Sequence, residues 1–592
     1  MANFSLFQEL KRRNVLRAGV LYIGAIWALA QGISQLGPSV GAPDWVTRGF
    51  LIAAGIGFPF WIAFAWFYEF TPTGFKRESE IDPADSIAHH TGRKLDYWIF
   101  GVMALAIVLL GSGYFIRRHV ANAVVEGANA AVQPPKDTLV VLPFRNLSGD
   151  PNQQYFSDGI TEELTDALGK NPALRVIAWD TASKYRDSKQ SATDIGKQLN
   201  VANILHGSIA RAGDAVRITT ELVDARNGYQ LWSHHYDASF ANIFKVQDQV
   251  SQAIASALQV KFAQADLPAD GTRSPEAHEL VLKGRALTEK ADAASLEAAR
   301  RDFTQALALD PGYADAHARL AIVLLALTQI SDLPLKTTLS VARAHAQTAL
   351  VLDPGNVSAL LALGSADANA DPPDFAQARV EFRQALKLEP SSANAHLDYG
   401  VLLPLKPSLV EMREATLLDP ANAIAWNNLG VRAADLGDWA QDVRAFEALL
   451  RLDPADVDSA FNLAYAYQQL HQYDEMAPAF DRVQPATDLD KEQVAAGRLV
   501  YQALRDPALR PRALNALKNL RSHASNQGVA ANLMQLYLAL GETAPALKLL
   551  EGICPADPVG CGDLAVNPMY ETLRTDPQFR QLEKKYATAT LR

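Results

Sequence analysis

The sequence of 592 residues has only two cysteines, Cys554 and Cys561. Two cysteines cannot build a structural zinc site by themselves, and the stretch CPADPVGC lacks the CxxC spacing of metal or redox motifs. Basic charge is also short: 55 Lys and Arg stand against 65 Asp and Glu. Residues 1–120 carry a net +3 and the remainder a net −13. An acidic remainder excludes a broad nucleic-acid surface, which needs clustered Lys and Arg for phosphates. No GxSxG or HExxH motif occurs anywhere. His234 and His235 are adjacent, so on a strand they point to opposite faces and cannot ligate together, and His206 stands apart from both. No catalytic residue, cofactor or metal is therefore expected.

What is present begins with three apolar stretches, at about 18–36, 49–70 and 97–116. Each comes close to the roughly 20 residues that cross a bilayer core. Lys11, Arg12, Arg13 and Arg17 precede the first, and Lys76, Arg77, Arg93 and Lys94 follow the second. The positive-inside rule then places the N-terminus in the cytoplasm and the chain after the third span outside. The sequence thus predicts a multi-pass inner-membrane protein with a membrane region over 17–119. Residues 1–16 predict a cytoplasmic amphipathic helix with a basic face. A hairpin of the first two spans is the alternative to full crossing. Residues 120–136, Ala-rich and closing on Pro134-Pro135, read as a linker.

Over 137–264 the pattern β-α-β-α-β-β-β-α predicts an α+β unit. Its first strand, TLVVLPF, leads through LSGDPNQQ into the helix YFSDGITEELTDAL. Strand, turn-rich loop and helix start form the outline of a phosphate cradle. A P-loop needs GxxxxGK[ST] and a dinucleotide loop needs GxGxxG, and neither is there. Asp150 and Asp158 stand where phosphate would lie. The bland alternative is structural: SGDP makes a turn, Ser157 or Asp158 caps the helix, and Glu162 and Glu163 lie on a solvated face.

From 275 onward Pro311, Pro354, Pro390, Pro420 and Pro454 recur in LDPG, LEPS and LDPA, at intervals of 43, 36, 30 and 34. That is close to the tetratricopeptide (TPR) period. About six repeats fill 275–490, starting near 277, 314, 357, 393, 423 and 457. Degenerate repeats and a C-terminal cap follow over 491–592. The copy 423–456 carries the TPR positions Trp426, Leu429, Gly430, Phe446 and Pro454, with Asp442 where Ala is usual.

The blocks LPFRNLSGDPNQQYFSDGITEELTDAL, RVIAWDTASKYR, the run from Ile195 to Asp237, and IFKVQDQVSQAIASAL resemble the TolB-like domain, itself similar to the N-terminal domain of periplasmic TolB. Pro143, Phe144, Ser157, Asp158, Gly159, Glu162 and Leu164 carry its motif. Together with the repeats, the chain resembles the bacterial membrane-anchored TolB-like and TPR protein family. Members of that family also occur behind a class III cyclase domain or a DNA-binding winged helix, and the N-terminal segment resembles a branch with neither. The resemblance implies a non-enzymatic envelope scaffold or sensor with periplasmic domains. Partners would be proteins, met through the TPR concave face and the TolB-like domain, together with the lipid bilayer. Nucleic acid is not among them, and self-association stays open. A subunit of a membrane transport or channel assembly is the alternative. An oxidising compartment would pair Cys554 with Cys561. The bland alternative for the solenoid is packing on its own α+β unit alone.

Overall fold

The computed structural model describes residues 15–36, 45–71, 74–77, 134–258, 271–272, 274–555, 561 and 564–586. It divides into two compact units, Met1–Val132 and Gln133–Arg592.

In the first unit, helices α1 (Val15–Leu36) and α2 (Trp45–Phe67) pack on one another. The Tyr22 hydroxyl donates to the Ala54 carbonyl at 2.8 Å, and its ring lies against Phe58 and Trp61. A hairpin of β1 (Tyr68–Thr71) and β2 (Gly74–Arg77) follows. Among the described residues no helix is long and apolar enough to cross a membrane. This corrects the expectation of three transmembrane helices and of a multi-pass inner-membrane location. The sequence of α1 ends in the polar residues Gln31, Ser34 and Gln35, and α2 gives way to strand at Tyr68, inside the expected second span. The third span, 97–116, and almost all of the N-terminal helix and linker lie outside the described residues.

The second unit opens on a sheet of order β5-β3-β6-β7-β8. Strand β3 (Thr138–Val141) runs parallel to both β5 (Arg175–Val176) and β6 (Asn203–Ala212). The short β4 (Arg145–Asn146) extends β3 alongside β6. Strands β6, β7 (Ala215–Asp224) and β8 (Gln230–Ser239) form an antiparallel meander. Side chains alternate across β3, so Leu139 and Val141 face one core and Val140 the other. Helices α3 (Gln154–Gly169) and α6 (Ile243–Ala257) cover the first core through Phe156, Ile160, Leu164, Val250 and Ile254. The short α4 (Trp179–Ala182) and α5 (Ala192–Leu199) cover the second with Ala182, Ile195 and Leu199. Helix α3 starts three residues before Ser157, after a single turn at Pro151–Gln153 that the Asp150 carboxylate caps. Ser157 and Asp158 are thus inside the helix and cap nothing.

Helix pairs follow: α7 (Pro275–Thr288) with α8 (Ala293–Leu309), α9 (Ala314–Ile330) with α10 (Leu335–Leu352), and α11 (Val357–Ala368) with α12 (Phe375–Leu388). Next come α13 (Ala393–Val401) with α14 (Leu405–Leu418), α15 (Ala423–Asp435) with α16 (Trp439–Leu452), and α17 (Val457–Gln469) with the short α18 (Tyr473–Met476). The turns after α10, α12, α14 and α16 end in a cap, whereas Tyr313, after α8, caps nothing. Asn356, Ser392, Asn422 and Asp456 accept the backbone N–H three residues on, which stabilises each start by about 1 kcal/mol. Within a pair the closest approach falls at one residue. A Cβ at Gly430 would stand 2.5 Å from the Phe446 ring, and Gly284 meets Phe303 the same way. The stack is a TPR solenoid, continued by α19 (Asp488–Ala503), α20 (Arg510–Leu520), α21 (Gln527–Ala539) and α22 (Thr543–Ile553), and α23 (Pro577–Tyr586) ends it. The Cys554 and Cys561 sulfurs are bonded, with both residues buried where α22 ends.

Candidate functional site

The residues singled out in the α+β unit gather along one seam, where α3 lies across α7, the first helix of the solenoid. A Cβ at Gly159 would stand 2.5 Å from Leu282 Cδ2, so only glycine lets the helices come this close. Leu282 is wholly buried and belongs to the core of the α+β unit, although the chain places it in the repeats.

Glu162, Glu163 and Asp166 turn toward the solenoid. The Arg285 guanidinium, with its side chain only 4% exposed, donates to Glu162 at 2.8 Å and to Asp166 at 3.1 Å. Arg319 of α9 stands 3.7 Å from Glu162 and 3.6 Å from Asp166. Burial opposes the charge on Arg285, yet Glu162 and Asp166 outweigh it and hold the group firmly cationic. Glu163 hydrogen-bonds with Gln247, and burial, only partly offset by Arg285, pushes its carboxyl up to about 8. The expectation that these acids form a solvated face is corrected: the third helix is amphipathic, but its polar side is covered by a second charged surface.

A second group of contacts lies beside the first. The Tyr155 hydroxyl and Arg211 both donate to Glu279, and Lys283 joins them at 3.0 Å. Burial would raise the Glu279 carboxyl, but the donors Lys283, Tyr155 and Arg211 hold it down at about 2. Arg211 also lies over the Phe156 and Phe240 rings. His278 packs on Phe240 and Phe244 with Nδ1 3.0 Å from the Tyr313 hydroxyl. Burial pushes His278 down to about 3, so this imidazole is neutral.

The seam then runs along the sheet edge. Strand β5 is an outer strand, and its free backbone groups meet the turns between repeats. Val176 N–H donates to Ser391 Oγ at 3.2 Å and Ala178 N–H to the Leu418 carbonyl at 2.8 Å. Thr181 donates to Asp419 and receives the Ala421 N–H, and Trp179 donates to Glu289 at 2.6 Å. The LEPS and LDPA turns that mark the repeats therefore also close one edge of the sheet. At the far edge, β8 is largely exposed. Between the two parts a cavity of about 380 Å³ is bordered by Glu163, Lys170, Lys245, Tyr313, Arg319 and Glu389.

The remaining motif residues are structural. Pro143 and Phe144 are buried, and the Phe144 N–H donates to Thr161. Ser157 is buried, Leu164 lies in the core, and Asp158 pairs with Arg186 and Gln154. In the fifth repeat, Trp426 donates its ring N–H to the Pro420 carbonyl at 2.9 Å, and Leu429 is fully buried. The Pro454 carbonyl accepts the Gln484 N–H. Asp442 is 1% exposed, and burial, with Asp435 and Asp438 adding to it, raises its carboxyl to about 8. His206 lies 3.8 Å from Glu221, and His234 and His235 pair with Thr220 and Thr219 in the ladder with their rings stacked 5.7 Å apart, so the expectation that they point apart is corrected. Among the described residues no group of three or more His, Cys, Asp or Glu is placed to hold a metal. Sequence reasoning missed Arg285, Arg319 and Glu279. A charge on an amphipathic helix looks solvent-facing until a partner over a hundred residues away is placed on it.

No family model matches the chain. It is 38% identical over 208 residues to a protein of Rhizobium meliloti (strain 1021) named "Putative adenylate cyclase 3". The match covers 34% of this chain and 35% of that one, so the chain spans about a third of its relative. The expectation of a protein without enzymatic activity is corrected by this relative, whose name points to an enzyme. Among solved structures, YrrB, a TPR protein with an unusual peptide-binding site, is 20% identical with a TM-score of 0.26, covering 38% of this chain and 99% of that one. A tetratricopeptide repeat protein from Parabacteroides merdae ATCC 43184 is 12% identical with a TM-score of 0.28, covering 53% and 100%.

Proposed function

We propose that residues 137–552 form a protein-binding scaffold in which a TolB-like α+β unit is locked onto a TPR solenoid. The observation that carries this reading is the exposed apolar face that the later repeats keep while the seam fixes the α+β unit beside them. Arg285 is buried among carboxylates of α3, and the repeat turns cap β5, so the two parts present partners with one fixed surface. The α+β unit covers α7 and reaches the repeat turns as far as Leu418–Ala421, which leaves the helix faces of the later repeats to a protein partner. On α15, Ile424 and Val431 are 65% and 40% exposed, and their spacing puts them on one face. Such exposed apolar side chains on a repeat helix are what a partner segment would cover.

The test is photo-crosslinking from position 427, between these residues, in the native host. A discrete adduct that disappears in Ile424→Asp/Val431→Asp supports the reading. An adduct unchanged by the double variant, or none from any exposed position on α15 and α17, sinks it.

The cyclase-named relative supports a second reading, in which the chain is itself a nucleotide cyclase. Incubation of the purified chain with ATP and a divalent cation, followed by mass spectrometry for cyclic AMP, decides it. Product that scales with protein assigns the activity, and product at the no-protein level removes it.

A further inference from the structure

The first-helix position that holds Trp426 in the fifth repeat holds histidine in two others. Each of these rings binds the turn before it. His317 Nε2 meets the Pro311 carbonyl at 3.2 Å and His396 Nε2 meets the Pro390 carbonyl at 3.0 Å, as Trp426 Nε1 meets Pro420. A carbonyl only accepts, so Nε2 carries a proton in both histidines. In a neutral ring that leaves Nδ1 with a lone pair. His396 Nδ1 meets the Glu411 carboxylate at 2.6 Å, and since that oxygen only accepts, this nitrogen donates and has no lone pair to offer. His317 turns Nδ1 to a second imidazole: His345 Nδ1 on α10 is 2.9 Å away.

We propose that His317 and His345 chelate a zinc-class divalent ion through their Nδ1 atoms. Zinc–imidazole bonds are about 2.0–2.1 Å, which places each ring centre about 3.2 Å from the metal and two centres about 5.2 Å apart at the tetrahedral angle. The observed centres are 5.1 Å apart, with the rings tilted 33°. In this structure the two Nδ1 atoms meet tip to tip in an N–H···N hydrogen bond, so metal binding displaces that proton and turns each ring by roughly 40° to bring the nitrogens to about 3.3 Å. The Nε2–H bond from His317 to Pro311 is the outer-shell contact that orients a ligating imidazole. Both histidines line a cavity of about 390 Å³ with Thr304, Leu320, Leu324 and Val341, so the remaining coordination positions open onto space for water or a guest's carboxylate. Arg300, also at this cavity, is turned to Glu297 at 2.8 Å, which offsets its charge.

Calorimetry of the full chain with Zn²⁺ tests this, together with electron paramagnetic resonance of the Cu²⁺-loaded protein. One ion per chain is expected, with affinity reduced at least about tenfold in His317→Gln and in His345→Ala. His396→Ala is the control and should leave binding within about twofold. His317→Gln keeps an N–H donor for Pro311, so it separates ligation from folding. The Cu²⁺ spectrum should show two coupled ring nitrogens. Binding that survives both variants, equal loss in His396→Ala, or a spectrum with fewer than two nitrogens overturns the site.

Discussion

Removing the Arg285 guanidinium is the sharpest test of the seam. In Arg285→Ala, Glu162 and Asp166 lose their nearest cation and the cavity left behind cannot hydrate them fully. Breaking one side of a buried ion pair costs about 3–5 kcal/mol. Two features lower that figure here. Asp166 is 40% exposed, so solvent screens its share, and Arg319 already stands 3.6–3.7 Å from both acids and can take up part of the load. About 3 kcal/mol remains, which corresponds to roughly 150-fold easier opening of the seam. Hydrogen exchange read by mass spectrometry measures this directly. Amides of residues 154–169 and 275–288 should exchange about 100-fold faster, while those of 527–539 stay unchanged. Arg285→Lys should recover only part of the protection, because an ammonium cannot make the forked contact with two carboxylates. Exchange less than about fivefold faster in Arg285→Ala would refute the reasoning, since apolar packing around Leu282 would then hold the two parts together without the charges.

The same seam makes further outcomes measurable. Gly159→Ala places a methyl against Leu282 and should cost roughly 1–3 kcal/mol in urea unfolding, with Leu282→Ala relieving part of the loss in the double variant. His278 is held at about 3 in the fold against an ordinary value near 6.5, so its contribution is complete above pH 6.5 and is lost as pH falls toward 3. Wild type should therefore lose about 2 kcal/mol relative to His278→Asn between pH 6.5 and pH 5, and parallel pH profiles would refute the assignment. Cys554→Ser opens a loop of about eight residues and should lower stability by about 2.5 kcal/mol under non-reducing conditions, with no effect in excess reductant. Loss of two mass units relative to the free thiols in the intact chain checks the bond itself.

The repeats were the most legible part of the chain. Proline turns every 30 to 43 residues are local rules, and local rules place helix starts such as Ala314, Val357, Ala393 and Ala423. The α+β elements were readable for a similar reason, since Leu139, Val140 and Val141 follow the two-residue alternation of a strand covered on both sides. Apolar runs at the N-terminus were less informative. Length and hydropathy there predicted spans, and the structure ends α2 at Phe67 and pairs the next residues as strand. The motif Ser157, Asp158, Gly159 and Glu162 was visible as a pattern, but its meaning was not. Gly159 answers to Leu282 and Glu162 to Arg285, each over a hundred residues away.

By itself, then, the sequence determined what depends on near neighbours: the helix period, the strand alternation, and the lack of the lysine and glycine spacing that a phosphate cradle requires. Only the tertiary structure decided which charged faces are buried, that repeat turns close the β5 edge, and that His317 and His345 face each other. Those facts depend on which surfaces meet after the chain has folded back, and a side chain's charge does not say what will cover it.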